Sequence, residues 1–179
     1  TVERPVPLDS LFMVFHMCDR HHPDYYAFDI LSDVLSNGRS SRLQQRLVRE
    51  KRIFSSIDAH ISGSVDPGLF HVIGKPATGV SLEQAEAAVW EELKELQHTD
   101  VSAAELEKVK NKFESSTIFG NINYMNVATN LAWYELLNQA EDLEKEVDRY
   151  REVSARRLTE VAQTAFRREN ACILYYKKG

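Results

Sequence analysis

Three arginines on one short segment carry the most suggestive chemistry in this chain. In SSRLQQRLVREKR, residues 40–52, Arg42, Arg46 and Arg49 recur at i, i+4 and i+7, a spacing that sets them on one face of a helix. A guanidinium is a planar fork of five N–H donors that matches carboxylates and carbonyl oxygens. Such a stripe can pair with acids, Glu50 among them, at about 0.3–0.5 kcal/mol per exposed pair. Alternatively, the arginine at the helix end points into a cleft and grips a carbonyl or carboxylate of a bound chain. The strand that follows would then pair with that extended peptide through its main chain. Residue statistics favour pairing with acids, and the residues alone leave both readings open.

The six histidines exclude one chemistry. His16, His21, His22, His60, His71 and His98 include no HxxEH or HExxH pair, the spacing that brings two imidazoles to one helical face around zinc. His21, His22 and Asp24 lie in HHPD, where capping of the following helix is the expected role. His60 and His71 fall opposite one another on a predicted hairpin, with Asp58 on the face of His60; two ordinary sheet histidines are preferred there over a metal site. No GxSxG nucleophile motif and no glycine-rich phosphate loop occurs. Cys18 and Cys172 lack metal-ligand spacing and read as buried free thiols in strands.

The elements that must position these residues follow from periodicity. LFMVFHM, residues 11–17, is apolar on both faces and predicts a central strand. Tyr25, Phe28, Leu31 and Leu35 mark a helix that Gly38 terminates, and Leu43 and Leu47 mark the buried side of the arginine helix. From Ile53 the period becomes two, with Ile53, Ile57, Ala59 and Ile61 on one side and Phe54, Ser56, Asp58, His60 and Ser62 on the other. SVDPG turns that strand into its hairpin partner LFHVIGKPA. VSLEQA and VSAAEL are helix starts with serine caps at Ser81 and Ser102, capping-box partners Gln84 and Glu105, and staple valines before them. The first of these helices buries Leu82, Ala85, Val89 and Leu96. The second buries Leu106, Val109 and Phe113, and is read to continue past Gly120 through Ala128, Leu131 and Leu136 unless Gly120 kinks or ends it. Two more helical segments and the strand ACILYY close the chain. The order predicts an α+β fold: a mainly antiparallel sheet with helices packed on one face.

Composition bounds the rest. The 179 residues suit one domain, read as residues 10–179 after a polar, proline-containing linker at 1–9. No apolar run approaches a membrane span, so a soluble protein is expected. With 22 basic against 27 acidic residues and a net charge of -5, nucleic acid is not an expected partner.

The segment HHPDYYAFDILSDVLSNGRSSRLQQRLVREKRIFSSI resembles the second, non-zinc homologous half of the pitrilysin and insulinase-type zinc peptidases, the inverzincins. Helix, glycine turn, SSRL, REKR and the following strand occur in the family order. LEQAEAAVWEELKELQ, VSAAELEKVKNKF and EDLEKEVDRYREVSARRLTEVAQTAF, then ACILYY, extend the likeness over nearly the whole chain.

That resemblance implies two such halves closing like a clamshell on a peptide. The partner half, on the same chain or a separate subunit, carries HxxEH and the zinc; this chain carries no metal and no catalytic residue. The half resembling this one binds substrate through an arginine, here Arg49, and a tyrosine seven residues later. Ser56 stands at the tyrosine position. A serine hydroxyl is several ångströms shorter in reach, so the second contact is expected to be lost or taken by another residue. The chain is therefore expected to be the substrate-binding half of a zinc endopeptidase, inactive in isolation. The alternative is a non-catalytic scaffold or assembly module of the same fold, like the inactive subunits of processing-peptidase-type complexes. A homodimer is a further partner reading, and a bacterial cytoplasm or periplasm is favoured over a mitochondrial matrix.

Overall fold

A computed structural model describes residues 1–179. Five strands form one sheet in the order β1-β5-β2-β4-β3, comprising β1 (Val2–Arg4), β2 (Ser10–His16), β3 (Phe54–Ile61), β4 (Leu69–Pro76) and β5 (Ala171–Lys178). All pairings are antiparallel except that of β1 with β5. The strand apolar on both faces, β2, is the central one. Its Leu11, Met13 and Phe15 are buried beneath the helices, while Phe12 and Val14 face the other way and are only half-buried. β1 lies within the stretch read as a linker: Val2 pairs with Tyr176 and Arg4 with Lys178, partners that a local reading cannot reach.

The helices are α1 (Tyr25–Ser36), a π-helix (Leu43–Glu50), α2 (Leu82–His98), α3 (Ala103–Gly120), α4 (Tyr124–Leu137), α5 (Glu146–Glu152) and α6 (Ala155–Ala165). One core of 35 buried residues joins the sheet's inner face to α1, α2, α6 and the π-helix. Gly38 ends the α1 region at φ +97°, the left-handed conformation that costs glycine least. Ser81 caps α2 in a complete capping box with Gln84. Ser102 accepts from the Glu105 N–H, but the Glu105 carboxylate is spent elsewhere, so the second box is half made. Asp24 precedes α1 without a side-chain capping bond and pairs instead with Arg157 at 2.6 Å. The Asp24 carboxylate is thus taken by a long-range charge and does not cap, while within HHPD the His22 Nδ1 accepts from the Asp24 N–H at 3.1 Å.

Two further expectations are corrected. Cys18 lies just past β2 and is half-buried, and Cys172 on β5 is exposed. Of the outcomes left open at Gly120, the helix ends there and α4 begins as a separate helix. Leu131 and Leu136 on α4, read as core, are 41% and 73% exposed. Only Tyr134 of α4 is buried.

Candidate functional site

The arginine segment does not form an α-helix. The Lys51 N–H donates to the Arg46 carbonyl five residues back at 2.8 Å, the bonding of a π-helix, which widens each turn and breaks the i, i+4, i+7 alignment. Arg42 donates from Nε and Nη2 to the two Glu105 carboxylate oxygens at 3.0 and 2.8 Å. Arg46 donates to Glu92 at 2.8 Å and also bonds Glu95, which holds the guanidinium more firmly protonated and pulls the Glu95 carboxyl below its usual range. The acids come from α2 and α3 rather than from Glu50. Arg49, in the last turn, is exposed and makes no ion pair. Of the three arginines, only this one presents a free fork to solvent.

The hand-over to β3 is sharp. Arg52 adopts φ +52°, rare for a residue with a side chain, and the Ile53 N–H reaches back to the Leu47 carbonyl at 2.8 Å. A β-bulge then falls between Phe54 and Ser56. The extra residue shifts the alternation, so that Phe54 enters the core with Ile57 and Ala59, while Ser55 and Ser56 are both exposed. The expectation that Phe54 shares the outer face with Ser56 is overturned by this one inserted residue.

Ser56 faces a shallow depression of about 290 Å³ on the open side of the sheet, bounded by Asp58, Ile73, Gly74 and Lys75. No hydrogen bond joins it to Arg49. On the same face His60 stacks on His71, centroids 4.9 Å apart, with Asp58 accepting from His60 Nδ1 at 2.9 Å. Both histidines behave as sheet residues.

β3 is an edge strand, yet that edge is not open to a peptide along its middle. Pairing of Ser62 with Leu69 fixes which β3 groups face β4, and leaves the carbonyls of Ile57 and Ala59 facing outward. Gln44 Nε2 donates to the Ile57 carbonyl at 2.8 Å, and Ser36 Oγ donates to the Ala59 carbonyl at 2.7 Å. Side chains from the π-helix and α1 thus blunt the edge, as natural sheets commonly do. The outward carbonyls of Ile57 and Ala59 are thus already bonded within the domain, which counts against main-chain pairing of a peptide at this stretch and leaves the arginine contact itself untouched.

The larger cavity, about 560 Å³, lies elsewhere, between α1, α4 and α5, and includes neither Arg49 nor Ser56. Its arginines are all neutralised: Arg20 by Glu146 at 2.8 Å, Arg149 by Asp142 at 3.0 Å, and Arg157 by Asp24. Sequence reading missed it because its members come from segments more than 100 residues apart. Across the chain, no three His, Cys, Asp or Glu side chains are grouped to hold a metal ion. The residues of this chain therefore do not fit a zinc ion. No helix is long and apolar enough to cross a membrane.

A helical layer on one face of a five-stranded, mainly antiparallel sheet makes this an α+β domain. The chain belongs to the peptidase M16 inactive domain family, whose pattern matches residues 1–113. It is similar to a curated Helicobacter pylori protein named zinc protease PqqE, at 27% identity over 156 residues, covering 87% of this chain and 35% of that protein. A crystal structure of a protease from Helicobacter pylori superposes with a TM-score of 0.92 at 25% identity, over 98% of this chain and 43% of that one. An inactive peptidase domain from Bordetella parapertussis shares the fold, with a TM-score of 0.85 at 20% identity over 99% of this chain and 96% of that one. The chain spans about a third of the length of the curated relative it matches.

Proposed function

We propose that this chain is the substrate-holding, zinc-free half of a zinc endopeptidase, working against a homologous half that bears HxxEH and the zinc. Arg49 donates its guanidinium to a carbonyl or carboxylate of the bound peptide and helps hold it for attack in the partner half. The observation that carries this reading is the contrast along one helix: Arg42 and Arg46 are locked to acids of α2 and α3, whereas Arg49 is exposed and unpaired at the junction with β3. Ser56, at the family tyrosine position, faces a separate depression and adds at most a short hydroxyl contact. Family membership and the likeness to Helicobacter proteases support the assignment. The bacterial sources of these relatives favour a bacterial cytoplasm or periplasm.

The test is Arg49→Ala in the full-length or two-chain protein, with peptide turnover as the readout. Loss of a charge-assisted hydrogen bond of about 1.5–3 kcal/mol lowers kcat/KM by roughly ten- to a hundredfold. Unchanged turnover removes the role.

The second reading, a non-catalytic assembly module, is favoured by the serine in place of tyrosine. A full-length protein or partner subunit without HxxEH would establish it over the first.

A further inference from the structure

The hairpin of α3 and α4 is built unlike the rest of the surface. Eight of the ten large hydrophobic residues that the chain exposes lie between Ile118 and Leu136. Ile118, Phe119, Ile122, Tyr124, Met125 and Leu136 are between 58% and 90% exposed. From Ser115 to Ala140 the only charged residue is Glu135, whereas 27% of the whole chain is charged. α3 buries Leu106, Val109 and Lys110 in its first half and nothing in its second, and α4 buries Tyr134 alone. An apolar helix with no polar face belongs under cover, and a large exposed patch poor in charge is the composition of an interface core.

We infer that the second half of α3, the Asn121–Asn123 turn and α4 form the surface on which the HxxEH-bearing homologous half docks. This rests on the two-half reading given above and adds where the halves meet. In the Helicobacter pylori protease structure, the region matching this chain is 43% of the protein, so more than half of that polypeptide is available to pack against such a domain. The size also fits. At their present exposures Phe119, Tyr124 and Trp133 alone would bury about 300–500 Å², and the five aliphatic residues bring the patch toward the roughly 800 Å² per partner of a specific interface. The absence of charge means that docking buries little that must be desolvated.

The isolated 179-residue chain, which has a single core of its own, is mixed with the separately purified HxxEH-bearing half, and association is measured by calorimetry. Ile122→Asp and Leu136→Asp are expected to weaken association at least tenfold. Leu8→Asp, an equally drastic change at an exposed apolar site outside the hairpin, is expected to leave it unchanged. Hydrogen exchange of the unmutated chain should slow across residues 118–136 when the other half is added, a readout independent of how the variants fold. Unchanged association in both hairpin variants, with no new protection, overturns the docking surface while leaving the Arg49 reading standing. Failure of the unmutated halves to associate overturns both. A dimer of the chain alone that Ile122→Asp dissolves assigns the surface to a second copy and likewise overturns the inference.

Discussion

Phe54 lies directly over Gly74: a Cβ built on that glycine would stand 2.4 Å from the Phe54 ring. The bulge that turns Phe54 inward therefore needs a residue without a side chain on the neighbouring strand. It is the same bulge that leaves Ser55 and Ser56 exposed beyond the arginine helix. Gly74→Ala should force the ring or the strand to move and cost about 1–3 kcal/mol, read as a lower midpoint in urea unfolding. Wild-type stability in this variant would mean that Phe54 is not held against the sheet.

Arg20 and Glu146 form a buried ion pair at 2.8 Å, with the Arg20 side chain 9% exposed. Arg20 also donates to the Tyr134 hydroxyl at 3.1 Å and lies over the Tyr25 ring, 4.2 Å from its centroid. It thereby ties the only buried residue of α4 to the body of the domain. Arg20→Ala leaves Glu146 buried without its countercharge and should destabilise by about 3–5 kcal/mol, visible in thermal unfolding. A loss under about 1 kcal/mol would show that water reaches this pair freely.

Burial, and then the neighbouring His60, hold the His71 pKa below its ordinary 6.5. Between 6.5 and the folded value the folded protein binds fewer protons than the unfolded chain. The contribution is therefore complete above pH 6.5 and is lost as pH falls through the folded value. The fall in melting temperature between pH 7.5 and 5.5 should be smaller in His71→Gln than in the unmutated chain. Identical slopes would show that the stacked pair does not couple to folding.

The two thiols should differ in reactivity. Burial, with help from Asp24 and Asp19, pushes the Cys18 thiol up to about 11, whereas Cys172 is exposed on β5. Iodoacetamide near pH 8 should alkylate Cys172 first, with mass spectrometry of tryptic peptides locating the label. Equal rates at both sites would contradict the burial of Cys18.

Much of this architecture was legible without coordinates. β2 as the central strand, the capped start at Ser81, the stop at Gly38 and the buried leucines of α2 all follow from the patterning of apolar residues and from side chains within four residues of one another. The family order of motifs likewise ran along the chain, as did the absence of an HxxEH pair. Reading failed where one residue changed the count. The π-helix moved Arg49 off the stripe, and the bulge moved Phe54 to the other face. Neither carries a residue pattern that distinguishes it from regular helix or strand.

The amino-acid order determined the helices, whose bonds close within a few residues, and marked β2 to β5 by their apolar patterning, but not β1, whose partners Tyr176 and Lys178 lie at the other end of the chain. Tertiary structure alone decided which charges are spent. Arg42 finds Glu105 and Arg46 finds Glu92, 63 and 46 residues away. Gln44 and Ser36 close a sheet edge that periodicity left open. α4 is apolar enough for a core, yet it lies at the surface because the sheet's helical face is already filled by α1, α2 and α6. Ion pairs and burial depend on distance in space, which local spacing does not encode.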